Sequence, residues 1–142
     1  IVKTRQKNGD KIGILLFTHR QVKRFAESFR KAGIDVESQK VRRGKTSRTW
    51  LKFNNDKPKI MTYFSATGLM FDTIIMPHLE VRCSSRFSND VIERMLFKGI
   101  TRASKGAYLS VCERAKSSPI TIFFPLKKRG HVEVCHWRDK HG

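Results

Sequence analysis

The chain has 142 residues, of which 39% are apolar, and carries 30 Lys+Arg against 12 Asp+Glu for a formal net charge of +18. That length suits one domain of roughly 150 residues, and apolar runs such as Ile12 to Phe17 and Asp72 to Pro77 exclude a disordered basic tail. No stretch approaches the ~18 consecutive apolar residues of a transmembrane helix, so no membrane-spanning segment is expected.

Lys11 to Phe17 reads as a buried strand, with β-branched Ile12 and Ile14. Thr18 follows as a hydroxyl cap. Arg20 to Ala32 reads as a helix, because Val22, Phe25, Ala26, Phe29 and Ala32 fall on one face. Gly33 sits where a helix C-terminal glycine belongs, and Ile34 to Val36 reads as a short strand. Strand, helix, strand in that order suggests a parallel-sheet unit. Ser38 to Lys59 is a basic loop: Lys40, Arg42, Arg43, Lys45, Arg48, Lys52, Lys57 and Lys59 face one acid, Asp56. Trp50 and Phe53 lie within it, and a small strand is expected around Thr49 to Phe53.

Ile60 to Phe64 is the next strand, Ser65 to Phe71 a turn containing Gly68, and Thr73 to Met76 a further strand closed by Pro77. Asp90 to Ala103 reads as a helix, with Asp90 and Glu93 in the outline of a capping box. Gly106 precedes a strand at Ala107 to Cys112, and Pro119 to Pro125 suggests one more. The basic tail from residue 113 to Gly142 is unassigned. There is no internal repeat. The expectation is one domain over residues 1–142 with its core at 11–112. Because the chain begins at Ile and shows no signal peptide, it reads as a fragment of a larger protein.

Cys83, Cys112 and Cys135 are odd in number and widely spaced, which argues against a disulfide framework. A reducing compartment follows, the cytoplasm of a bacterial-type cell or another intracellular one. A charge of +18 favours a polyanionic partner, and nucleic acid is the commonest. Solubility or contact with an anionic membrane surface is the bland alternative, and charge does not separate DNA from RNA.

Two tempting motifs fail. Gly44-Lys45-Thr46 imitates the end of a phosphate-binding loop, but Gln39 stands where that loop needs glycine. His131, Cys135 and His136 match no paired zinc spacing, even with Cys112. His19 and His78 belong to no nucleophile set.

Two segments carry more. Ile60 to Pro77 contains Thr62, Ser65, Ala66, Gly68, Leu69, Phe71 and Asp72 in one register. It resembles motif V of superfamily 1 helicases of the UvrD/Rep/PcrA type, usually T-x-H-S-A-K-G-L-E-F-D followed by an apolar strand. Glu93 to Leu109, around Thr101-Arg102-Ala103, resembles motif VI of the same family, and Ile12 to Ile34 looks like its motif IV region. The ordered set spans roughly residues 11 to 112.

The resemblance implies the C-terminal RecA-like domain of such a helicase. The fold would be α/β, a mainly parallel sheet with helices on both faces, the second motor domain of a P-loop NTPase-like machine. Its activity would be DNA-stimulated ATP hydrolysis with Mg²⁺, shared with the N-terminal RecA-like domain of the same chain. The fragment alone, lacking the P-loop, is expected to be inactive.

By resemblance Arg102 is the arginine finger, since an always-ionised fork suits phosphate oxygens as charge builds. Arg20, Gly68, Met70 and Thr101 are the candidate nucleotide contacts. Thr62, Tyr63, Ser65 and Trp50 are the candidate contacts to single-stranded DNA or RNA, with the N–H groups of the Ser65 to Gly68 turn offered to phosphate. Tyr63 stays open between core packing and base stacking, and Arg20 between nucleotide contact and a solvated helix start.

The chain departs from the family at three motif V positions: Phe64 for His, Thr67 for Lys and Met70 for Glu. Met70 cannot accept a hydrogen bond from the nucleotide sugar with the strength of the usual Glu. Only residues 37 to 59 separate the motif IV and V regions, so the large inserted domain of UvrD and Rep is absent. A degenerate domain that only binds nucleic acid or a protein is the alternative.

Overall fold

The computed structural model describes residues 1–40, 51–79 and 87–111, together with residues 123, 125, 127, 129, 130, 133 and 135. In chain order these form α1 (Val2–Lys7), β1 (Ile12–Leu16), α2 (His19–Lys31), β2 (Glu37–Ser38), β3 (Lys59–Thr62), β4 (Phe71–Met76), α3 (Asn89–Ile100) and β5 (Ala103–Leu109). The strands make one sheet in the order β2-β3-β1-β4-β5. Every neighbouring pair is parallel, with Leu16 beside Thr62 and Ile14 beside Ile75 across central β1.

All five residues of β1 are buried, because helices cover both faces of the sheet. Side chains alternate along a strand. Ile12, Ile14 and Leu16 therefore join Ile60, Val36 and the Val22 and Ala26 of α2 on one face. Leu15 and Phe17 join Met61, Tyr63, Ile74 and Met76 beneath Ile92, Met95 and Leu96 of α3 on the other. The α/β architecture expected from the sequence is the one observed.

Helix α2 starts and stops as its sequence signals. Thr18 accepts from the Gln21 N–H at 3.2 Å while Gln21 Oε1 accepts from the Thr18 N–H at 3.0 Å, a complete capping box. Gly33, at φ +68°, ends it with bonds from Gly33 N to the Arg30 carbonyl and Ile34 N to the Phe29 carbonyl, the Schellman pattern.

Several boundaries shift for visible reasons. Ile34 is tied to the end of α2, so the strand forms later, where the Glu37 N–H reaches the Pro58 carbonyl at 2.9 Å. Residues 51–53 form no strand. Lys59, expected in a solvated basic loop, is 3% exposed and lies 3.4 Å from Glu37. Helix α3 begins at Asn89 after Ser88, which gives no side-chain cap, and Asp90 lies inside its first turn, so the Asp90–Glu93 box does not form. There the Asp90 carboxylate faces the positive end of the helix dipole.

Strand β5 starts at Ala103, earlier than Ala107, because it carries a bulge. Phe71 pairs Ala103 but Thr73 pairs Gly106, which leaves one extra residue on β5. Short α1 was not anticipated; its Val2 packs onto the α2-side core. Residues 41–50, most of Pro119 to Pro125 and most of the basic tail lie outside the described residues. Phe123 and Pro125, which are described, are not in a strand.

Candidate functional site

Because all strands run the same way, the sheet has two distinct edges, and the motif residues divide between them. Strand starts gather at one edge. There Phe71 N–H donates to the Arg102 carbonyl at 2.9 Å, and Arg102 N–H donates to the Gly99 carbonyl at 3.1 Å. Arg102 is thus clamped between the end of α3 and the start of β4, with Met70 and Thr101 beside it. Met70 is 58% exposed. Thr101 is exposed but its hydroxyl is donated to the Lys98 carbonyl at 3.1 Å, which closes the last turn of α3.

The β5 bulge lies next to Arg102 and turns Ser104 and Lys105 toward two acids. Buried Asp10 receives Lys105 Nζ at 2.8 Å and Thr73 Oγ1 at 2.9 Å, with Arg5 at 3.7 Å. The Lys105 bond, then the Thr73 bond, hold its carboxyl below the usual aspartate range against the cost of burial. Asp72 accepts from the Lys11 N–H at 2.9 Å and from Ser104 at 3.2 Å, with Lys105 at 3.5 Å. The Lys11 bond leads in lowering its pKa. Arg5 also bonds the Tyr108 hydroxyl and lies 5.3 Å from that ring's centroid. Arg5 and Lys105 are therefore committed to acids. Among the described residues no acid pairs with the Arg102 guanidinium, which is half-buried.

The opposite edge, at the strand ends, holds Thr62, Ser65 and the start of α2. Thr62 is 4% exposed; its hydroxyl lies 3.0 Å from Ser65 Oγ, and its N–H reaches Gln39 Oε1 at 3.3 Å. Thr62 thus supports half-exposed Ser65 from beneath and does not face outward itself. The N–H groups of Ser65, Ala66 and Thr67 are used within the turn. The turn therefore offers less to phosphate than expected, and only Gly68 N–H lacks a partner among the described residues. Gly68 is at φ +84° with open space where a Cβ would stand, so backbone conformation and not crowding requires glycine there.

Tyr63 does not stack on an exposed base in this arrangement. It is 7% exposed, its ring 5.0 Å from Phe17, and its hydroxyl has no hydrogen-bond partner among the described residues. Burial drives its pKa upward. The exposed aromatic is the next residue, Phe64, 62% exposed. Sequence reasoning missed it; adjacent residues leaving a strand point to opposite sides, but nothing in the string says which of the two faces out. Trp50 lies outside the described residues.

Arg20 is exposed at the strand-end edge, separated from Arg102 by the length of β1. Five residues at about 3.3 Å each make roughly 16 Å, beyond one side chain's reach. The expected nucleotide set therefore splits: Met70, Thr101 and Arg102 come together, and Arg20 does not join them. The connection between β3 and β4, residues 63–70, runs from one edge to the other with Gly68 on the way. Among the described residues no group of three or more His, Cys, Asp or Glu could hold a metal ion, and no helix is long and apolar enough to cross a membrane.

No family model matches the chain, and no curated protein is detectably similar to it in sequence. A solved structure is similar: the C-terminal domain of a possible DNA helicase from Lactobacillus plantarum WCFS1, at a TM-score of 0.59 and 14% identity. The match covers 84% of this chain and 65% of that one, so the chain spans about two thirds of that domain's length. The parallel five-stranded sheet with a helix layer on each face is thus an arrangement this chain shares with the C-terminal domain of a possible DNA helicase.

Proposed function

We propose that the chain is the second RecA-like motor domain of an ATP-dependent DNA helicase or translocase of the superfamily 1, UvrD-like type. The observation that carries this is the division of the motif residues by one short connection. Ser65, supported by Thr62, stands at the strand-end edge, and Met70, Thr101 and Arg102 stand at the strand-start edge. Residues 63–70 link the two directly. A motor needs such a link, because nucleotide state at one edge must alter grip on single-stranded DNA at the other.

Arg102 suits the finger role on chemistry. Its backbone is fixed from both sides, and its guanidinium is committed to no acid among the described residues. A pre-positioned, unneutralised guanidinium stabilises charge developing on a transferring phosphoryl group. ATP with Mg²⁺ would supply that group and its charge neutralisation, held mainly by the N-terminal RecA-like domain. This chain contributes Arg102 and, from exposed Met70, an apolar contact in place of a hydrogen bond to the sugar. Shared fold with the C-terminal domain of a possible DNA helicase supports the proposal, as does the charge of +18.

Met70 also favours a second reading. With no acceptor at that position, nucleotide contact is weakened, and a domain that only binds nucleic acid or a protein becomes the alternative. ATP hydrolysis by the intact parent protein separates them, with and without single-stranded DNA, in wild type and Arg102→Ala. The motor reading expects DNA-stimulated hydrolysis that falls ~10³-fold or more in the variant, with folding and DNA binding kept. A wild type that binds DNA without hydrolysing ATP would leave the binding-only reading.

A further inference from the structure

We propose that Phe64, backed by Phe87, is a base-stacking platform for single-stranded nucleic acid, flanked by the basic first turns of α2. It rests on the proposed single-strand contact at the strand-end edge and names the group that makes it. Phe64 leaves β3 immediately after buried Tyr63 and is 62% exposed. Half-buried Phe87 lies beneath it, ring centroids 6.3 Å apart and tilted by 48°. Phe64 is therefore a supported ring with an open outer surface, beside half-exposed Ser65.

An exposed aromatic could meet an apolar protein surface or a nucleobase, and the charge of the same edge favours the nucleobase, because the cations at the start of α2 outnumber Asp90 in the first turn of α3. Tyr63 N–H bonds the Leu16 carbonyl at 3.1 Å, so residues 17–20 and 63–65 emerge side by side. The start of α2 carries His19, Arg20, Lys23 and Arg24, all exposed, with no acid in its first turn. Cations at this end oppose the helix dipole, whose positive end already lies there. None of Arg20, Lys23 and Arg24 pairs with an acid among the described residues. The arrangement is locally unfavourable until a polyanion arrives, and such broken local rules concentrate at functional sites. A polyanion that also presents flat π-faces is single-stranded nucleic acid; a duplex keeps its base faces stacked away.

Base stacking on an aromatic survives any base sequence and is lost with the ring. The test compares binding of a short oligo(dT) and of an abasic oligonucleotide of equal length to the full-length protein, by fluorescence anisotropy at one fixed salt concentration. Phe64→Ala should weaken oligo(dT) binding about 5- to 150-fold and leave abasic binding and the melting temperature unchanged. Phe64→Leu should weaken oligo(dT) binding comparably, and Phe64→Trp should keep it. Equal oligo(dT) binding by wild type and Phe64→Ala overturns the platform while leaving the single-strand contact standing. Equal losses for both oligonucleotides, or full binding by Phe64→Leu, also overturn it, the latter pointing to a general apolar contact. A wild type that binds neither oligonucleotide overturns the single-strand reading, and the platform with it.

Discussion

Replacing Gly13 by alanine tests how tightly the strand-start edge is packed. Gly13 sits in β1 opposite Ile74 of β4. A Cβ built there would lie 2.8 Å from Ile74 Cδ1 and 2.9 Å from Phe71 Cγ and Cδ2. Ile74 can turn its terminal methyl, but Phe71 Cγ is one bond from its own Cβ and moves only if χ1 leaves its rotamer or β4 shifts. Overpacking of this kind costs about 1–3 kcal/mol. The stiffer unfolded chain of an alanine variant offsets about 0.4–1 kcal/mol of that.

A net loss of about 1–2 kcal/mol follows, roughly 3–7 °C in melting temperature for a chain of this size. Urea unfolding followed by far-ultraviolet circular dichroism would measure it, with an unchanged m-value as the two-state check. Phe71→Leu in the same chain should recover part of the loss, a coupling of about 1 kcal/mol. Gly13→Ala as stable as wild type would refute the packing argument, and so would strictly additive costs in the double variant. Phe71 N–H also holds the Arg102 carbonyl, so Gly13→Ala should lower ATP hydrolysis by the parent protein more than its stability loss alone explains.

Tyr63→Phe removes a buried hydroxyl that has no partner among the described residues and should raise stability, by about 1 kcal/mol, in thermal or urea unfolding; it should leave oligonucleotide affinity unchanged, since the ring is in the core. Acid should weaken the strand-start edge. Asp10 and Asp72 have lowered folded-state pKa values, so their contribution is complete above the ordinary aspartate value of about 3.9 and is lost as pH falls through the lower folded values. The urea midpoint should be level near neutrality and drop below about pH 4, less steeply in Asp10→Asn. An equal acid slope in that variant would show that the Lys105–Asp10 contact does not govern it.

The sequence alone decided what depends on near neighbours. The apolar, β-branched run Ile12 to Leu16 reads as a buried strand, and Thr18, Gln21 and Gly33 set the ends of α2 through bonds spanning a few residues. The order of strands and helices carried the α/β architecture. Resemblance to motifs V and VI put forward Gly68, Met70, Thr101 and Arg102, with Arg20 from the motif IV region; Met70 leads into β4 and Thr101-Arg102 into β5, and parallel strands align their starts.

Only the tertiary structure decided what depends on partners far along the chain. Lys59 reads as one more loop cation until Glu37, brought alongside by β2, draws it inside. By resemblance Arg102 is the arginine finger and Arg20 a candidate contact to the same nucleotide, yet one precedes a strand and the other follows one, which places them at opposite edges. The β5 bulge is fixed by pairing with β4, and no local signal announces it. Tyr63 and Phe64 differ by one hydroxyl and one position. Which ring is buried was settled by α3 closing over the sheet, with Phe17 taking Tyr63 into the core and Phe64 left on the surface.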